Sequence, residues 1–176
     1  MLSMKYLIAD SALEESPLRT LVASSGDVYL YENTYSLPLG YIVPENVVTE
    51  WVYKGEGDLT NINNLAIMLG AESSLLVPVN TTDEEGVSTL EVLQDGYYYM
   101  SRSKIKFDSL KMESSDGRTK SYAKASHDYF LDLGYANTGD VIKITNSEEE
   151  TLKTQGYFVN MNALETAYDT LNAQTM

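Results

Sequence analysis

Glu32 and Asn33, followed by Tyr35 and Tyr41, are the residues whose types and spacing best suit contact with a ligand. A carboxylate and a carboxamide offer hydrogen bonds to hydroxyl groups, while tyrosine rings offer flat faces with a polar tip. That combination suits a sugar or a partner protein. The same residues also have a structural reading. An asparagine after a strand tolerates left-handed geometry and bonds its own backbone, and Glu32 can pair with Lys5 or another base across a hairpin.

Other chemistry has less support. His127 is the single histidine, so it cannot build a multi-histidine zinc site. Ser126 and Asp128 flank it, but neighbours on a strand point to opposite faces, which argues against a local Ser-His-Asp arrangement. Asp83-Glu84-Glu85 and Glu148-Glu149-Glu150 read as solvated loop charges, and neither has the alternating oxygen ligands of a calcium loop. With 26 acidic residues, some carboxylate pair will stand at glycosidase spacing by chance. No nucleophile elbow, phosphate loop or His-Glu-x-x-His motif occurs. The residues therefore assign no catalytic group, no metal and no cofactor.

Composition bounds the partners. The 176 residues suffice for one ordinary domain with a real core. Twelve basic residues against 26 acidic ones give a formal net charge of -14, which repels phosphate backbones and disfavours nucleic acid and bare anionic membrane. The chain has no cysteine, which removes disulfides and thiolate chemistry. No apolar run reaches the roughly 18 residues of a membrane span, and the start lacks the order of a signal peptide, so a soluble chain is expected. Fourteen tyrosines stand against three phenylalanines and one tryptophan. Tyrosine suits half-exposed sheets, and it also suits sugar-stacking faces.

The elements that must position these residues are mostly strands. Lys5 to Ile8 reads as a short strand, and Leu18 to Ala23 with Val28 to Glu32 reads as a hairpin around Ser24-Ser25-Gly26-Asp27. Pro38 ends the second hairpin strand at an edge or bend. A helix is expected over Asn61 to Leu69, stopped by Gly70, with Ile62, Leu65, Ala66 and Leu69 on one face. From Ser74 short strands follow at sandwich spacing: Ser74 to Val79, Ser88 to Leu93, Tyr97 to Arg102, Ile105 to Met112, Lys120 to Ala125, Tyr129 to Gly134 and Val141 to Thr145. Gln155 to Val159 is a last strand. Asn162 and Glu165 form a capping-box-like start to a terminal helix carrying Leu164, Ala167, Tyr168 and Leu171, expected to lie against the sandwich. The fold class is mainly β with minor α: an antiparallel, jelly-roll-like β-sandwich with one short internal helix and a C-terminal helix. Residues 1–73 hold the hairpin and short helix, residues 74–176 the sandwich and terminal helix, and together they read as one compact domain.

One segment resembles a known family. Tyr31-Glu32-Asn33-Thr34-Tyr35-Ser36-Leu37-Pro38-Leu39-Gly40-Tyr41 is similar to the Tyr-Glu-Asn-x-x-x-Leu-Pro-Leu-Gly segment of the YfhO family, large bacterial membrane proteins that look like glycosyltransferases using lipid-linked sugars. Met4-Lys5-Tyr6-Leu7-Ile8, Leu133-Gly134-Tyr135 and Gly139-Asp140-Val141-Ile142-Lys143-Ile144 resemble further stretches of it. The resemblance implies a parent enzyme that moves sugar from a polyprenyl-phosphate donor to a cell-envelope polymer such as lipoteichoic acid. It implies that this chain is an extracytoplasmic accessory segment, partnered by the transmembrane part of the same protein and by a glycan acceptor, and not itself catalytic. Two readings from other classes stay open: a carbohydrate-binding β-sandwich module with a tyrosine-lined face, and a structural domain that contacts only protein.

Overall fold

The structure, a computed structural model, describes residues 4–13, 16–37, 42–52, 59–102, 107–125, 130–146 and 151–173. The chain divides into two compact units. The first comprises Met1–Val52, Asn63–Ser74 and Asn162–Met176, and the second Tyr53–Ile62 and Leu75–Met161.

In the first unit, β1 (Tyr6–Ala9), β2 (Arg19–Ser25) and β3 (Val28–Asn33) form an antiparallel sheet in the order β1-β3-β2. Ser25 pairs with Val28, so β2 and β3 turn over two residues, and Gly26 supplies the positive φ of 56° that such a turn needs. The expected hairpin is thus present. Tyr31 is buried, and its hydroxyl accepts the Leu13 N–H at 2.9 Å, so burying this ring strands no polar group. The opposite face carries Tyr6, Ile8 and Val28, all exposed.

Among the described residues two internal helices are present, one more than the sequence suggested. The added one is α1 (Glu45–Thr49), a five-residue turn after Pro44 with no buried residue, too short and too rich in valine to show a helical period. The expected helix is α2 (Leu59–Met68). It ends in a Schellman motif: the Gly70 N–H donates to the Ile67 carbonyl at 3.0 Å and the Ala71 N–H to the Ala66 carbonyl at 2.9 Å. Gly70 has φ 105°, and a Cβ there would stand 2.5 Å from Thr170 Oγ1.

Thr170 belongs to α3 (Met161–Asn172), the terminal helix, which begins one residue before Asn162, placing Asn160 at the cap position. From Asn162 onward this helix groups with the N-terminal unit, where the sequence reading had attached it to the sandwich. The contacts explain the difference. Thr166 Oγ1 accepts the Glu72 N–H at 3.4 Å, the Tyr168 hydroxyl donates to the Ser36 carbonyl at 3.3 Å, and Gly70 leaves room for Thr170.

The second unit is an antiparallel sandwich. Its strands are β4 (Leu76–Val79), β5 (Thr81–Glu84), β6 (Val87–Glu91), β7 (Gly96–Arg102), β8 (Phe107–Ser114), β9 (Thr119–Ala125), β10 (Leu131–Ala136), β11 (Val141–Asn146) and β12 (Thr154–Val159). One sheet runs β10-β7-β12-β4 and the other β5-β6-β11-β8-β9. The pairs β8·β9, β7·β10, β6·β11 and β4·β12 nest like one long hairpin, and rolling that hairpin brings β11 onto β8 and β12 onto β7. This winding is the jelly roll that the strand spacing suggested. Alternation supplies its core. Leu90, Tyr98, Met100, Leu110, Leu131, Leu133, Ile142 and Ile144 point inward and are almost wholly excluded from water. Each full burial contributes about 1.5–3 kcal/mol of transfer free energy.

Strand β5 is a further departure, since Asp83 and Glu84 had read as loop charge. Asp83 lies in the strand, half-buried, because Thr154 of the facing sheet gives its carboxylate two partners. The Thr154 N–H donates to Asp83 Oδ2 and its hydroxyl to Oδ1, both at 2.8 Å. With that proton committed, Ser88 Oγ, which is fully buried, donates to Thr154 Oγ1 at 2.6 Å.

Candidate functional site

Glu32 and Asn33 sit at the end of β3 and both grip β1, from opposite faces. Glu32 pairs in register with Tyr6, and its Oε1 stands 3.3 Å from Lys5 Nζ. That hydrogen-bonded carboxylate, with the nearby Tyr6 ring, holds the Lys5 ammonium above its ordinary pKa. The ion pair is the cross-hairpin pairing that the sequence allowed. Asn33 is committed further: its N–H donates to the Lys5 carbonyl at 2.7 Å and its Nδ2 to the Met4 carbonyl at 2.6 Å. These bonds fasten the start of β1, so the side chain works as a clasp within the sheet.

Tyr35 lies beyond the strand and meets Tyr168 of α3 edge to face, with ring centroids 5.3 Å apart and planes at 81°. Burial, and then the carboxylates of Glu165 and Asp169, push its hydroxyl above the usual tyrosine range. Its ring, offered by the sequence reading as a stacking platform, is half-buried against Tyr168. Tyr41 lies outside the described residues, as do Ser126, His127, Asp128 and Glu148 to Glu150. Glu32, Asn33 and Tyr35 therefore do not converge on one spot; each is engaged with a different neighbour. Among the described residues no group of three or more His, Cys, Asp or Glu side chains could hold a metal ion.

A second cluster lies in the sandwich and was not singled out by sequence. Register places Asp132, Tyr99, Tyr157 and Pro78 in one row across β10, β7, β12 and β4. Alternation turns this row away from the core, because Tyr98, Met100 and Leu131 beside it face inward. Phe130 precedes β10, and its ring centroid lies 6.3 Å from that of Tyr157, with planes at 73°. β10, which Phe130 adjoins, and β12, which bears Tyr157, flank β7 and are two ladder spacings apart, about 9.6 Å, so the rings lean toward each other over it. Tyr99, Tyr157, Phe130, Ser101 and Gln155 are half-buried and Asp132 is exposed. At the other end of the face the aromatic surface is closed: Tyr97 is buried, packed edge-on to Tyr135 at 5.4 Å.

Polar groups border the open part. Asp132 Oδ2 is 3.1 Å from Lys120 Nζ, and Oδ1 accepts the Gly134 N–H at 3.0 Å where β10 bulges. Burial, with the Asp132 charge, raises the Tyr99 hydroxyl. Gln155 Nε2 donates to the carbonyls of Val79 and Gly156 at 2.7 and 3.1 Å, which fixes the amide and leaves its oxygen as an acceptor. The sequence held one signal for this cluster. Tyr97-Tyr98-Tyr99 in a strand must place two tyrosines on one face and one on the other.

With fold and site described, comparison with known proteins adds no identity: the chain matches no family model, no curated protein and no solved structure. The class defined by fold and site is an acidic jelly-roll sandwich with a smaller α/β unit and an aromatic outer face.

Proposed function

We propose that the chain is an accessory, non-catalytic, extracytoplasmic domain of a YfhO-like membrane glycosyltransferase acting on a cell-envelope polymer such as lipoteichoic acid. Its role is to position acceptor or shape access to the active site, with the transmembrane part of the same protein as its partner. One observation carries this reading. The segment that resembles the family, Tyr31 to Tyr41, commits its first three polar side chains to building the unit: Tyr31 on Leu13, Glu32 on Lys5 and Asn33 on Met4. A segment used in this way marks a scaffold kept for its shape rather than a reacting centre. Among the described residues no helix is long and apolar enough to cross a membrane, so in this reading the spans belong to the rest of the parent protein.

Fractionation of the producing cells tests the proposal. An antibody to this chain should follow the membrane fraction and reach its epitope on intact, wall-stripped cells. Recovery with the cytoplasmic proteins, or protection from protease in intact, wall-stripped cells, would overturn it. A free-standing carbohydrate-binding module is the second reading, favoured by the aromatic row on β7 and β12. It predicts release of the chain into the medium without any membrane-bound parent.

A further inference from the structure

The open end of the aromatic face has the chemistry of a sugar site. A pyranose ring is about one cross-strand spacing wide and presents C–H groups on its faces and hydroxyls around its rim. Tyr99 and Tyr157 are directly opposed across β7 and β12, so their side chains stand side by side at that spacing. Phe130 meets Tyr157 edge to face over β7 and extends the aromatic patch. Around it stand Asp132 as acceptor, the oriented amide of Gln155, and Ser101 in the cross-strand position beside it. Aromatic surface bordered by fixed polar groups is what sugar recognition needs, whereas a protein-docking face needs a broader apolar area.

Charge selects among sugars. The chain carries a formal net charge of -14, so a polyanionic glycan would be repelled. We infer that Tyr99, Tyr157 and Phe130, with Asp132, Ser101 and Gln155, form a binding site for a neutral oligosaccharide on the outer face of the β10-β7-β12-β4 sheet. The site rests on the acceptor-positioning role proposed above and narrows it to a neutral glycan, so the polyphosphate chain of a lipoteichoic acid is not what this face holds. Loss of the sugar site and loss of the membrane setting are read by different experiments.

The test is an amide and aromatic NMR titration of the full chain with three neutral hexasaccharides (maltohexaose, cellohexaose and a galactan hexamer) and with polyglycerol phosphate as the anionic comparator. At least one neutral probe should shift the resonances of Tyr99, Phe130 and Tyr157 with a Kd in the millimolar range or tighter at about 10 mM probe, while polyglycerol phosphate does not. Tyr157→Ala should weaken binding about five-fold or more through loss of the stacking ring, and Tyr157→Phe, which keeps the ring, should restore most of it. Tyr6→Ala removes an exposed ring from the first unit and should leave binding unchanged. Thermal unfolding of each variant separates lost binding from lost fold. No response to any of the three neutral probes, shifts confined to the other sheet, or preference for polyglycerol phosphate would overturn the inference.

Discussion

At the scale of single residues, the two members of the Glu32-Asn33 pair differ in consequence although they are neighbours. Asn33 bonds a backbone carbonyl that would otherwise fray at the start of β1, whereas Glu32 meets Lys5 in open solvent. Asn33→Ala should lower stability by about 1 kcal/mol in urea unfolding, the usual net worth of a neutral hydrogen bond. Glu32→Gln should leave the urea midpoint where it is, since exposed ion pairs contribute little. Asp95 sets a pH dependence. The Thr138 N–H and hydroxyl both donate to its Oδ1 at 2.7 Å, and these bonds hold its carboxyl below the ordinary value. The folded chain therefore binds that proton less tightly than the unfolded chain. The resulting stability is complete above the unfolded pKa and is lost as pH falls through the lower folded value. Asp95→Asn should flatten this part of the acid limb in unfolding measured between about pH 5 and pH 2. The Glu32–Lys5 pairing was legible in sequence because both residues flank one short hairpin system. Asn33's real partner was not, because Met4 comes within reach only once β1 docks on β3.

At the scale of elements, local signals were read well and nonlocal ones poorly. Alternation and turn residues located nearly every strand of the sandwich, and Gly70 located the end of α2. Acidic side chains hid β5, since Asp83 is accommodated only by Thr154, which lies 71 residues away in the chain. Asp83→Ala removes two charge-assisted bonds and leaves the half-buried Thr154 N–H without its acceptor. It should cost about 2–3 kcal/mol, measured by chemical denaturation. Gly70→Ala tests the helix stop. A left-handed alanine costs about 1–2 kcal/mol, and contact with Thr170 adds to it, so the variant should be destabilised by more than the torsional cost alone. Thr170→Ala in the same background should recover part of the loss.

At the scale of the whole molecule, the jelly roll explains why the aromatic row escaped the sequence. Tyr99 and Tyr157 become neighbours only because the rolled hairpin lays β12 beside β7, and nothing local at either position announces that pairing. Strand count and spacing revealed the fold class; the winding that assembles a candidate site arises from pairings between distant segments. The same separation hid the contact of Tyr35 with Tyr168, which is on the terminal helix. In the proposed function, fold and aromatic face serve a membrane enzyme whose reacting groups lie elsewhere. The most direct measurement is sugar transfer to the envelope polymer by cells carrying the parent protein whole or with this chain replaced by a flexible linker. The account predicts that transfer falls strongly while the linker form remains in the membrane and the chain alone transfers nothing. Undiminished transfer by the linker form, or transfer catalysed by the isolated chain, would contradict it.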